Sequence, residues 1–201
     1  MEESFYKNSI VLFEGAIENI TSKLNIIKKH RKANKKRDPI EYIISRIKTE
    51  NSMKEKLVRK GFEITLENAI TKIYDAAGVR IICAYIDDVY TIAEMLKKYN
   101  DLKVIKEKDY IKNPKINGYR SYHIVFELSL DLAGEITPVY IEIQIRTIAM
   151  DFWSNLEHQM KYKKNIKNQD FIVKELKRCA DEIATTDINM QTIKNMINQE
   201  G

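Results

Sequence analysis

Two segments of strict alternation constrain this chain more than anything else in it. One is "YRSYHIVFEL" from Tyr119, the other "YIEIQIR" from Tyr140, with "DLAGEI" between them. Period two suits extended strands, and two such strands joined by a short Gly-containing link read as a β-hairpin. The first strand is expected over Tyr119 to Leu130, the second over Pro138 to Arg146. Tyr122, Ile124, Phe126 and Leu128 then point one way and Tyr119, Ser121 and His123 the other, while Ile141, Ile143 and Ile145 oppose Glu142, Gln144 and Arg146. A turn centred between Ala133 and Gly134 pairs His123 with Gln144 and Ser121 with Arg146. Any register of the same parity keeps both polar sets on one face. A half-exposed sheet with a wet outer face has the same pattern. An aromatic ring, an imidazole, a carboxylate and an amide are nevertheless recognition groups rather than mere solubilisers.

The rest of the chain surrounds this hairpin with helices. Helices are expected at about residues 5–29, 39–48, 52–60 and 66–73, followed by a strand over 78–85. Asp87 or Asp88 should cap a helix running to about Tyr99, and a strand over Leu102 to Lys108 leads to an Asn117-Gly118 turn. Thr147 is placed to cap a helix in which Ala149, Phe152, Trp153, Leu156 and Met160 recur at helical spacing. A polar helical tail follows from about 168, with a stripe of Ile172, Leu176, Cys179 and Ile183. At 201 residues, 44% hydrophobic and 31% charged, with 6 Gly and 3 Pro, the chain suits one soluble, helix-rich domain. No run of eighteen apolar residues and no basic-then-apolar start occurs, so a cytoplasmic location is expected. Cys83 and Cys179 read as reduced, small apolar side chains.

Charge is uneven. Between Lys23 and Lys60 there are 14 Lys and Arg against 4 Asp and Glu, although the whole chain carries only +5. Such a segment should face an anion, a polyphosphate or a nucleic-acid backbone, while its densest run, "KKHRKANKKRD", reads as a solvated connection. Within it, Ser52, Lys56 and Arg59 share one stripe of a helix, near free N–H groups at its start, and Arg46 and Lys48 arrive from the segment before. By itself the stripe also fits a solvated surface helix. No glycine-rich phosphate loop occurs, so cations and helix-end amides would have to hold a triphosphate. In "IYDAAGVRI", Asp75 precedes a strand that contains Arg80. An Asp there is usually a turn residue, but with Glu142 it would supply two carboxylates, a set that suits Mg²⁺ completed by phosphate oxygens.

The ordered series "SRIKTENSMKEKLVRK", "DAAGVRI", "KDYIKNPKINGYRSYH" and "VYIEIQIRTIAMDFWSNLEH" resembles the synthetase domain of the RelA/SpoT family, in particular the stand-alone small alarmone synthetases, over about residues 5–165. The resemblance implies an α/β (α+β) nucleotidyltransferase-like fold, a mixed sheet flanked by helices with helical N- and C-terminal extensions. It divides the chain into a synthetase domain, residues 1–165, and a C-terminal oligomerisation extension, residues 166–201. It implies Mg²⁺-dependent transfer of pyrophosphate from ATP to the 3′-hydroxyl of GDP or GTP, giving (p)ppGpp and AMP in the stringent response. Carried over by residue, Arg46 and Arg80 contact adenine, and Lys48, Ser52, Lys56 and Arg59 follow the ATP phosphates. Asp75 and Glu142 hold the metal, with Glu142 as candidate base, while Tyr119 stacks on guanine among Lys108, Lys115, His123 and Gln144.

The resemblance also implies a homotetramer and leaves room for single-stranded RNA as a regulator. Lys108 stands where many relatives have Arg. Thr21, Asn25, Tyr42 and Asp151 replace residues that bind an activating product in some relatives, and the added carboxylate argues against that regulation here. No His-Asp hydrolase motif is present. Two rivals are an RNA-binding module and a nucleotidyltransferase with another acceptor. The first would leave Asp75 and Glu142 idle.

Overall fold

The computed structural model describes residues 5–161 and 168–199. The expected boundary between residues 165 and 166 lies outside them. After a short 3-10 turn, Lys7–Ser9, the elements are α1 (Ile10–Ala33), β1 (Ile40–Ile47), α2 (Glu50–Arg59), α3 (Leu66–Lys72), β2 (Ala77–Cys83), α4 (Ile86–Lys97) and β3 (Leu102–Asp109). The hairpin β4 (Tyr122–Leu132) and β5 (Glu135–Thr147) follows, then α5 (Ile148–Lys161) and α6 (Gln169–Gln199). Among the described residues five strands form one mixed sheet in the order β1-β2-β5-β4-β3; β2 and β5 run parallel and the other neighbours antiparallel.

The hairpin register matches the sequence expectation, with His123 opposite Gln144 and Leu132 opposite Glu135. Ala133 (φ 55°) and Gly134 (φ 97°) form the two-residue link, both in the left-handed region that such tight hairpin turns require. Ile124, Phe126, Ile141, Ile143 and Ile145 are wholly buried on the other face. Each such side chain contributes roughly 1.5–3 kcal/mol by leaving water, so a one-residue slip that turned His123 and Glu142 inward would forfeit most of the core. The helix α1 covers this face with Leu12, Phe13, Ala16, Ile20, Leu24 and Ile27, one stripe at helical spacing, and α4 adds Val89, Ile92, Ala93 and Leu96.

Three expectations are corrected. Residues 40–47 are a strand, not part of a helix. The apolar spacing of Ile40, Ile43, Ile44 and Ile47 fits a helical stripe, but four β-branched residues in eight favour an extended edge, and β1 pairs with β2 from Ile40–Cys83 to Ile47–Ala77. Neither Asp87 nor Asp88 caps α4. Tyr85 occupies that position without a side-chain bond, and both carboxylates lie in the first turn. Cations from elsewhere take them: Lys194 Nζ meets Asp87 Oδ1 at 2.7 Å, and Arg37 pairs with Asp88. The hairpin's first strand starts at Tyr122 rather than Tyr119, because Gly118 (φ 89°) closes a turn with its N–H on the Lys115 carbonyl at 2.8 Å. The expected cap at Thr147 is present as a 3.1 Å bond from the Met150 N–H to its hydroxyl.

Candidate active site

Strand pairing aligns residues distant in sequence into two rungs on one sheet face. Arg46 pairs with Gly78, Gly78 with Glu142, Glu142 with Val125, and Val125 with Lys106. One step along, Ile44, Arg80, Gln144, His123 and Lys108 form the second rung. Gly78 has no side chain to fill the floor between Arg46 and Glu142; a Cβ there would meet the Glu142 carbonyl at 3.7 Å and Arg46 Cγ at 3.9 Å.

Two hollows open over these rungs and share Asp75 and Glu142. The first, about 240 Å³, is lined also by Lys56, Lys60, Tyr74, Lys106, Lys108, Tyr110, Lys115, His123 and Val125. The second, about 210 Å³, is lined also by Ile44, Arg46, Gly78, Val79, Arg80 and Gln144. The sequence-predicted Asp75, Glu142, Lys56, Lys108, Lys115, His123, Arg46, Arg80 and Gln144 therefore gather at one place. Lys48 joins them through its ammonium, 3.3 Å from Asp75 Oδ2, where Lys56 also lies at 2.6 Å. Ser52 and Arg59 share the Lys56 helix but line neither hollow; the Ser52 hydroxyl accepts from Thr49, the residue that caps α2.

Tyr119, just ahead of β4, is tied to the site by its phenol. Arg146 Nη2 donates to its oxygen at 2.6 Å, and His123 Nε2 lies 2.9 Å from it. The other imidazole nitrogen, Nδ1, faces Glu142 Oε1 at 3.4 Å. His123 thus bridges the Tyr119 phenol and the Glu142 carboxylate. Tyr110 adds a second ring, edge-on to His123 with centroids 5.3 Å apart, and the Lys115 ammonium sits 4.8 Å from the Tyr110 centroid and 4.6 Å from that of Tyr119.

The two carboxylates differ in surroundings. Burial pushes the Glu142 carboxyl up, but its hydrogen bond to His123, the His123 charge, the Gln144 amide at 2.7 Å and the charge of Lys56 outweigh this and leave it at about 2. Glu142 is thus ionised and weakly basic. Asp75 Oδ2 is paired with two ammonium groups, whereas its Oδ1 is buried without a hydrogen-bond partner among the described residues. An orphaned carboxylate oxygen beside a second carboxylate fits a divalent cation. Among the described residues no group of three or more His, Cys, Asp and Glu gathers that could hold a metal alone. Oxygens of a bound phosphate would have to complete the shell.

Lys60, Tyr74, Lys106, Tyr110 and Arg146 received no role from sequence. Lys106 and Tyr110 were within reach, because they flank Lys108 at period two on the same strand face; Lys60 and Tyr74 arrive from other elements. Arg146 was on the expected polar face, but only the structure shows it buried, at 3% exposure. Asp151 is likewise buried, at 2% exposure, so it does not present a repelling charge to solvent as the sequence argument assumed.

The loop that carries Lys115 and Tyr119 leans on the C-terminal helices. Arg120 donates to the Ala180 carbonyl at 3.1 Å and pairs with Asp181 at 3.2 Å, while Asn117 Nδ2 donates to Glu157 Oε1 at 3.0 Å. Among the described residues no helix is long and apolar enough to cross a membrane.

Comparison with known proteins gives a consistent family. Residues 45–167 match the model described as "Region found in RelA / SpoT proteins". The GTP pyrophosphokinase YwaC of Bacillus subtilis is 41% identical over 96% of this chain and 91% of its own length. The crystal structure of small alarmone synthetase 1 from Bacillus subtilis bound to its product pppGpp superposes with a TM-score of 0.85 at 33% identity, covering 94% of this chain and 96% of that one. That of small alarmone synthetase 2 from the same organism gives 0.84 at 39% identity, covering 95% and 98%.

Proposed function

Because this chain belongs to the RelA/SpoT family, we propose that it is a (p)ppGpp synthetase, transferring the pyrophosphoryl group of ATP to the 3′-hydroxyl of GDP or GTP and releasing AMP. The observation that carries this reading is the pair of adjoining hollows with Asp75 and Glu142 common to both. A transfer between two nucleotides needs two subsites that meet where the group changes hands.

ATP takes the hollow of Arg46 and Arg80, its adenine against the two guanidinium planes, with its phosphates towards Asp75 and the ammonium groups of Lys48, Lys56 and Lys60. Ser52 and Arg59 extend that basic edge. The guanosine nucleotide takes the other hollow, stacked on Tyr119, with Lys106, Lys108 and Lys115 neutralising its phosphates and His123 and Gln144 holding its polar edge. Base stacking on the tyrosine supplies ~1–3 kcal/mol. Lys115, which sits by both rings, is within the same hollow as those phosphates.

Asp75 and Glu142 would hold Mg²⁺, which when bound neutralises charge on the transferring phosphates. The residues themselves act mainly by positioning. They set the 3′-oxygen in line with the β-phosphorus and surround the phosphates with cations. With its carboxyl near 2, Glu142 suits cation binding and orientation of the 3′-hydroxyl better than full proton abstraction. Further parts of the reading are assembly as a homotetramer, supported by exposed Ile188, Ile193 and Ile197 on α6, and RNA as a regulator on the exposed Lys32, Lys35 and Lys36.

Radiolabelled ATP incubated with Mg²⁺ and GMP, GDP or GTP in turn, with products resolved by chromatography, tests the reaction. Label should move to a guanosine tetra- or pentaphosphate with AMP released in equal amount. Label appearing only in inorganic phosphate or pyrophosphate would refute it.

A further inference from the structure

One buried side chain lines neither hollow yet touches both Arg80, which lines the second, and Arg146, which holds the Tyr119 phenol. Asp151, on α5, accepts through Oδ1 from Arg80 Nη1 at 3.2 Å and from Arg146 Nη1 at 3.1 Å. Its Oδ2 accepts from the Asn155 amide at 3.0 Å and from the Tyr42 hydroxyl at 3.3 Å. Arg80 lines the second hollow. Arg146 donates through Nη2 to the Tyr119 oxygen at 2.6 Å and to Gln144 Oε1 at 2.9 Å, with its guanidinium 5.1 Å from the Tyr119 centroid. A continuous path of polar contacts thus runs from Arg80 through Asp151, Arg146, Tyr119 and His123 to Glu142.

Resting on the two-nucleotide reading above, we propose that Asp151 is a positioning residue that couples the two subsites, fixing Arg80 on the ATP side and, through Arg146, Tyr119 on the guanosine side. The physical reason is charge. Two guanidinium groups converge on one carboxylate oxygen away from water, where like charges repel strongly unless an anion lies between them. Without that anion the two must part. Arg80, with its side chain 24% exposed, can swing towards solvent and lose its place in the hollow. Arg146, 3% exposed, cannot leave and can only reorient, which breaks its bond to Tyr119. A single neutralising group therefore sets both purine contacts, and disturbing it acts on both nucleotides at once.

The experiment is calorimetric and needs no turnover. A non-hydrolysable ATP analogue and GDP are titrated separately, with Mg²⁺, into the wild-type protein and into Asp151→Asn and Tyr119→Phe. Asp151→Asn keeps the size of the side chain and removes its charge; losing a charge-assisted bond to each arginine should weaken both ligands by about tenfold. Tyr119→Phe should weaken GDP alone. If Asp151→Asn weakens neither ligand, or only one, the coupling is refuted. Should that variant not fold, Tyr42→Phe, which removes a hydroxyl partner of Oδ2 and leaves the charge, must still shift both dissociation constants in the same direction by about threefold; a change confined to one ligand overturns the inference. A wild-type protein that binds both ligands but makes no product would sink the proposed reaction and leave this coupling intact.

Discussion

Gly118 offers a test of whether the C-terminal helix sets the geometry of the guanosine subsite. Its φ of 89° lies in the left-handed region, and a Cβ added to it would stand 2.5 Å from Ala180 Cβ and 3.6 Å from Lys177 Cα, both on α6. For Gly118→Ala, the unfavourable φ costs ~1–2 kcal/mol and the overpacking ~1–3 kcal/mol. Restoring an ordinary carbon–carbon contact of about 3.5–4.0 Å requires the loop to retreat by about 1 Å. That loop carries Lys115 and Tyr119, while the residues assigned to ATP lie on or directly beside β1, α2 and β2. A misplacement of about 1 Å near a reacting centre costs up to ~100-fold, so kcat/KM for GDP should fall by about ten- to a hundredfold while KM for ATP stays within about twofold. Initial rates with labelled ATP, each nucleotide varied in turn, measure both, and circular dichroism checks the fold. Adding Ala180→Gly removes the clash and should recover part of the loss, offset by about 1 kcal/mol of helix propensity. An unchanged GDP response, or equal rises for both nucleotides, would refute the buttress.

Asp75→Asn should abolish synthesis yet leave the protein folded, because the isosteric amide keeps an accepting oxygen for Lys48 and Lys56; turnover near normal in the variant would contradict the metal assignment. Glu142 gives a pH test. Its carboxyl is held at about 2 against an ordinary 4.5, so the ionised form favours the folded state by about 3 kcal/mol. That contribution is complete above pH about 4.5 and is lost as pH falls towards 2. Denaturant melts across this range should show wild type losing more stability than Glu142→Gln, and equal slopes would mean that the carboxyl is not held low.

Sequence and structure divide this protein in an instructive way. The hairpin was legible because period two and a buried face specify each other: once Ile124 and Ile143 must be inside, His123, Glu142 and Gln144 must be outside and together. The edge strand was not legible, because the spacing of Ile40, Ile43, Ile44 and Ile47 is that of a helical stripe while their β-branched side chains favour an extended chain. Only pairing with β2 selects between them, and that pairing is what sets Arg46 in line with Gly78 and Glu142. Lys56 and Asp75 were named from sequence, yet their contact depends on how α2 settles beside the loop before β2.

Local periodicity therefore decided which residues share a face, since side-chain direction in a strand follows from the backbone alone. Tertiary structure decided which of them are buried against one another. Arg146 and Asp151 look like ordinary surface charges along the chain, and become an internal link between two hollows only because β5 turns into α5 beneath the Arg80 side chain. Burial of charge is a property of the assembled fold, and no spacing rule encodes it.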